Sequence, residues 1–174
     1  MIQFHFRTMK AKGNPVLVFD QQLTLHSVWE DRTDVITGSE IHCQVEAQHI
    51  GEMVTVKGTL KARPTLRCAR CLSDFEHNMN VNVMELFFEP SDVMQIEEDE
   101  NIHAIRDDLV VLDPYFAENV SIAIPNVPLC SNQCKGLCPE CGVNRNETEC
   151  TCTSERLNPK FAALAKLLQS DSTH

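Results

Sequence analysis

Apolar and polar positions alternate without interruption through "MVTVKGTLKARPTLRC", residues 53–68. Val54, Val56, Leu60, Ala62, Leu66 and Cys68 are apolar, while Thr55, Lys57, Thr59, Lys61, Arg63, Thr65 and Arg67 between them are polar. Successive side chains of a strand point to opposite faces, so this period predicts one half-buried strand, bent near Gly58 or Pro64. "EIHCQVEAQ" repeats the device with Ile41, Cys43, Val45 and Ala47, and "FEHNMNVNVMELFF" with Phe75, Met79, Val81, Val83 and Phe87. Three such segments joined by short connections predict an antiparallel meander with one dry and one wet face. Ile2, Phe4 and Phe6, and then "VLVF" at 16–19, are candidate edge strands.

Two segments carry helical signals instead. In "LDPYFAENVSIAIP", Asp113 is placed to cap, Pro114 to open the helix and Pro125 to stop it, with Phe116, Val120, Ala123 and Ile124 near helical spacing. "RLNPKFAALAKLLQS" offers Asn158 and Pro159 in the same roles, and an apolar stripe of Phe161, Leu164, Leu167 and Leu168. That stripe suits a core-facing helix, or a helix that docks on a partner. Residues 90–108, with a proline and a dense acidic run, read as a surface loop. The expected fold is α+β. An antiparallel meander or partly closed sheet, with one or two helices packed on it, occupies residues 1–128. A cysteine-rich zinc module and a helix occupy residues 129–174.

Composition narrows the function. A chain of 174 residues with 43% hydrophobic content can bury one core and carry a small appended module. No apolar run reaches the ~20 residues of a bilayer span, and "MIQFHFRTMK" lacks a signal-peptide core, so a cytoplasmic protein without a membrane partner is expected. The net charge of −10 argues against indiscriminate nucleic-acid binding. That charge is concentrated: residues 91–128 hold nine acidic side chains and one basic, whereas residues 129–174 hold five of each.

Nine cysteines cannot pair completely within one chain, and disulfides are rare in reducing compartments, so the grouped thiols point to zinc. Cys68 and Cys71, like Cys138 and Cys141, are two residues apart, the spacing at which a short turn brings both sulfurs to one ion. Cys130, Cys134, Cys150 and Cys152 make eight clustered thiols, enough for two closed four-thiolate sites, and Cys43 is left as a core residue. Local loop closure favours Cys138, Cys141, Cys150 and Cys152 as one site. Cys68, Cys71, Cys130 and Cys134 then form the other. The rival arrangement joins the two C-x-x-C pairs. Closed sites are structural rather than catalytic, and no metalloprotease, deaminase, phosphate-loop or hydrolase signature occurs. Neither an enzymatic role nor a small-molecule substrate is expected.

"CARCL" at 68–72, followed by "IPNVPLC", "CKGLCPECGVN" and "RLNPKFAALAKLL", resembles the YceD family of large ribosomal RNA subunit accumulation proteins over about residues 53–168. The resemblance implies a non-enzymatic factor in large-subunit biogenesis, with large ribosomal RNA or a precursor subunit as partner. It also implies that the later cysteine site is separable, since some members lack most of it. Three mechanisms are open. Lys57, Lys61, Arg63, Arg67 and Arg70 lie in a stretch, 53–73, without one acidic residue, and the first four would share a face of an unbroken strand. Such a strip attracts phosphate, although no aromatic residue accompanies it for base stacking. Alternatively, the acidic segment holds a basic ribosomal protein, or the thiols act as a redox or zinc sensor.

Overall fold

The three alternating segments form the centre of a five-stranded sheet. The computed structural model describes residues 1–11, 15–90, 101–105 and 107–152. Its elements in chain order are β1 (Gln3–His5), α1 (Phe6–Ala11), β2 (Val16–Leu23), α2 (Ser27–Glu30), β3 (Val35–Thr37) and β4 (Ile41–Ile50). There follow β5 (Met53–Ala62), β6 (Thr65–Arg67), β7 (Asp74–Glu76), β8 (Met79–Phe88), β9 (Ile102–Ala104), β10 (Leu109–Val111) and α3 (Asp113–Ala123). The fold is α+β and rich in antiparallel strands. By contacts the chain divides into two units, one of Met1–Ala69 with Ser73–Cys130, the other of Arg70–Leu72 with the residues from Ser131 onward. All the named elements belong to the first.

The large sheet runs β2-β4-β5-β8-β9, antiparallel except for the β8–β9 pair. It is open rather than partly closed, because β2 and β9 each have a single neighbour among the described residues. At Gly58 a Cβ would overlap the Gln44 carbonyl, so the two central strands can approach there only with glycine. The predicted single strand over 53–68 is two strands, and so is the one expected from Phe75 to Phe87, whose Phe75 lies on β7 and not on β8. Proline lacks the N–H that would continue the ladder, and after Pro64 the chain leaves β5 for a three-stranded sheet ordered β3-β6-β7. Burial continues to alternate across the break, with Ala62, Pro64, Leu66 and Cys68 all buried.

The dry face presents Ile41, Cys43, Val45 and Ala47 of β4, Val54, Val56 and Leu60 of β5, and Met79, Val83 and Phe87 of β8. Phe6 and Met9 of α1, and Phe116 and Val120 of α3, close this core. Each large apolar side chain buried there contributes about 1.5–3 kcal/mol. Phe6 begins a helix and does not end an edge strand; β1 pairs instead with β10. Leu112, not Asp113, caps α3, and it does so without a side-chain hydrogen bond. Asp113 Oδ1 accepts the Ile2 backbone N–H at 2.7 Å instead. Ala123 is exposed.

The expected acidic loop contains β9, whose Ile102–Ala104 pair in register with Leu86–Phe88. Residues 91–100 and Arg106 of that loop, and the whole C-terminal helix expected after Asn158, lie outside the described residues. No helix among the described residues is long and apolar enough to cross a membrane.

Candidate metal centres

Each C-x-x-C pair sits on a tight turn of the same construction. The Cys68 N–H donates to the Ser73 carbonyl at 2.9 Å, and the Cys138 N–H to the Val143 carbonyl at 2.8 Å, in both cases five residues on. Each turn passes through the left-handed region just after its second cysteine, at Leu72 (φ 60°) and at Gly142 (φ 73°). Glycine adopts that conformation freely, whereas leucine pays a steric cost of about 1–2 kcal/mol.

The sulfurs of Cys68, Cys71, Cys130 and Cys134 all lie within 4.8 Å of one another, and so do those of Cys138, Cys141, Cys150 and Cys152. None of the nine cysteines is disulfide-bonded. Four thiolates around tetrahedral zinc, with bonds near 2.3 Å, stand about 3.8 Å apart, so both groups fit one ion each after a small contraction. Cys68, Cys71 and Cys134 are buried and Cys130 is exposed; in the other group only Cys138 is buried. Cys43 is fully buried in the sheet's core, where desolvation pushes its thiol up to about 11.

Ionisation is uneven in the second group. Backbone N–H groups of Cys141 and Glu140 hold the Cys138 thiol down to about 6. Its neighbours act oppositely on the rest: Cys141 pushes Cys152 up to about 12, and Cys138 raises Cys150. Thiolates so crowded oppose one another, and a bound dication is what reverses that opposition.

The polar surroundings of Cys134 were not legible from spacing. Asn146 Nδ2 donates to Cys134 Sγ at 3.4 Å, while Asn146 Oδ1 accepts the Lys135 N–H at 2.8 Å. Arg70 Nη1 donates to the Cys134 carbonyl at 3.1 Å, and the Arg70 carbonyl accepts the Leu137 N–H at 3.0 Å. Arg70 is thus a brace for the cysteine loop.

The break at Pro64 parts Arg67 from the other basic candidates, of which Lys57 and Lys61 share the wet face of β5. Arg67, on β6, forms an ion pair with Asp74 at 2.9 Å, which raises the guanidinium's pKa and lowers the carboxyl's. Lys57 stands opposite Glu46 on β4 and Met84 on β8. Lys61 donates to Gln44 Oε1 at 3.3 Å, and the Arg63 backbone N–H donates to Ser39 Oγ at 2.9 Å. Neither Lys61 nor Arg63 is ion-paired among the described residues.

A buried polar cluster on the dry face also escaped the pattern. Glu85 is 1% exposed. Its carboxylate lies 2.6 Å from His103 Nε2 and accepts Asn119 Nδ2 at 2.6 Å. His103 is tilted against Tyr115, with ring centroids 4.3 Å apart. The one available signal was a glutamate standing at an apolar position of the β8 alternation.

A family model described as "Large ribosomal RNA subunit accumulation protein YceD" matches residues 56–168. The chain is 28% identical to the uncharacterized protein Rv2926c of Mycobacterium tuberculosis over 91% of its length and 78% of that protein's. It is 30% identical to the uncharacterized protein ML1660 of Mycobacterium leprae, over 77% and 62% of the two chains. With the uncharacterized protein YlbN of Bacillus subtilis it shares 27% identity over 88% of each. No solved structure gives a significant match.

Proposed function

The chain belongs to the YceD family of large ribosomal RNA subunit accumulation proteins, and on that footing we propose that it is a non-enzymatic factor supporting accumulation of the large ribosomal RNA in the cytoplasm. The single observation that carries this reading is the family match, which runs from β5 across both cysteine groups. The family description names an accumulation role and not a reaction.

In this reading two zinc ions are structural. Cys68, Cys71, Cys130 and Cys134 hold one, and Cys138, Cys141, Cys150 and Cys152 hold the other. Tetrahedral four-sulfur groups suit zinc or an iron–sulfur cluster, and closed four-ligand sites leave no position for a reacting water. The protein touches RNA, or a precursor of the large subunit, through basic side chains on the wet face. Lys57, Lys61 and Arg63 remain candidates there; Arg67 and Arg70 have structural partners.

Depleting the protein from its host should lower mature large-subunit RNA relative to small-subunit RNA, with reduced large subunits on a sucrose gradient. An unchanged ratio would reject the function. Native mass spectrometry should give two zinc ions per chain without visible absorbance. One ion, or a coloured iron centre, would reject the metal assignment.

A further inference from the structure

Cross-strand registry gathers the polar groups of the wet face at one end of the large sheet. Gln22 of β2 is opposite His42 of β4, His42 is opposite Lys61 of β5, and Lys61 is opposite Asn80 of β8. This unbroken polar row floors a groove of about 510 Å³. Ser39, Glu40, Arg63 and Asn78 complete its polar lining. Four residues up the strands the face changes character, where Val18, Glu46, Lys57 and Met84 form the corresponding row.

The groove collects Lys61 and, just beyond the end of β5, Arg63, neither of them ion-paired among the described residues. Three carboxamides, from Gln22, Asn78 and Asn80, stand beside them. Lys and Arg neutralise phosphate, and a carboxamide offers the paired donor and acceptor that match a base edge. A volume inside the ordinary small-ligand range of about 300–1,000 Å³ admits an unstacked nucleotide, not a helix laid lengthwise. Two charges oppose this ligand. Glu40 lines the groove, and Asp20 lies one row away, where His42 Nε2 (2.6 Å) and Gln44 Nε2 (3.0 Å) engage its carboxylate.

We infer that this groove is the RNA contact: it takes a single-stranded nucleotide of the large ribosomal RNA, with Lys61 and Arg63 on phosphate and Asn78 and Asn80 on the base edge. The inference rests on the reading above that the protein touches RNA, and it assigns that contact to one end of the sheet. An acidic peptide is the competing ligand, but it would use the cations and leave the carboxamides without a role.

The test is binding of the full zinc-loaded chain to a transcript of the host's large ribosomal RNA, measured across a salt series, with an acidic peptide as a second probe. K61Q/R63Q should weaken RNA binding several-fold and reduce the salt slope by about 1.4, or about 0.7 for each single-strand phosphate lost. N78A/N80A should weaken binding with the slope unchanged, because base-edge contacts release no counterions. E40Q should tighten binding, which damage to the fold would not do. Wild-type RNA binding that survives K61Q/R63Q with the same slope overturns the groove and leaves RNA contact elsewhere on the protein. Capture of the acidic peptide but not RNA, lost in K61Q/R63Q, overturns the nucleotide and the RNA reading together.

Discussion

The two cysteine groups share a turn and differ in nearly everything around it. Both knuckles close with the same hydrogen bond from the first cysteine to the fifth residue beyond it, and both cross the left-handed region at the same place. The first group buries three of its four cysteines and spends a leucine at the strained position; the second buries one and uses glycine. A thiolate kept from water is kept from chelators and oxidants as well. The contrast therefore assigns the groups different work. The first is built as a permanent part of the protein, and the second as a self-contained loop in which a bound metal would be easier to reach.

The sharpest way to break this comparison is to remove a ligand from each group. Cys68→Ser, at a fully buried position, should lose one zinc and lower the melting temperature by about 10 °C or more. Cys138→Ser should also lose one zinc but leave the melting of the sheet within about 2 °C. Equal destabilisation in calorimetry would end the distinction.

Kinetics should separate the groups next. A chelating dye should remove zinc in two phases, and mass spectrometry after limited alkylation should find Cys141, Cys150 and Cys152 labelled before Cys68 and Cys71. The fast phase should also steepen as pH falls. Protons compete for the thiols: Cys150 and Cys152, with raised pKa values, must surrender theirs to metal at neutral pH, and Cys138 regains its own only below about 6. A single phase would make the two sites equivalent.

Smaller effects sharpen the comparison. Asn146→Ala removes the N–H donor to Cys134 and should weaken metal binding at the first group about tenfold, read by competition titration, with the second unchanged. Exchanging the two left-handed residues should act in opposite senses. Leu72→Gly should gain up to about 1 kcal/mol in denaturant unfolding and Gly142→Leu should lose about as much. A loss on Leu72→Gly would mean that the exposed leucine side chain stabilises its turn.

Much of this architecture was legible in the residues. The alternation of Ile41–Ala47, of residues 53–68 and of Phe75–Phe87 located the three central strands, because a half-buried antiparallel strand writes its dry face directly into a period of two. Leu66 and Phe75, at the ends of that alternation, belong to β6 and β7 of the other sheet. Local loop closure gave the grouping of sulfurs that the structure brings together. The same period misled at Pro64. Alternation reports which side of a strand is dry and not which sheet the strand belongs to, so Ala62 and Leu66 look continuous while pairing in different sheets. Arg67 was parted from Lys57 and Lys61 with that continuity, because it lies on β6. Phe6 was misread for a related reason: three apolar residues at spacing two cannot exclude a helix that begins on the third. The polar cluster of Glu85, His103 and Asn119 joins residues 34 positions apart at its extremes, which no local pattern can announce.

Glu85 has one further consequence, for how the chain avoids wrong answers. A strand whose apolar residues recur every second position can slide by two and keep its greasy side inward, so alternation alone tolerates misalignment. For β8 such a slide would carry Glu85 about 6.8 Å along the sheet, away from His103 and Asn119, and strand its carboxylate in the core. The glutamate thus acts as a key that admits one alignment. Glu85→Leu should fold to similar stability and show doubled amide signals for β8 in a nuclear magnetic resonance spectrum; a single sharp set would mean that packing alone already forbids the slide.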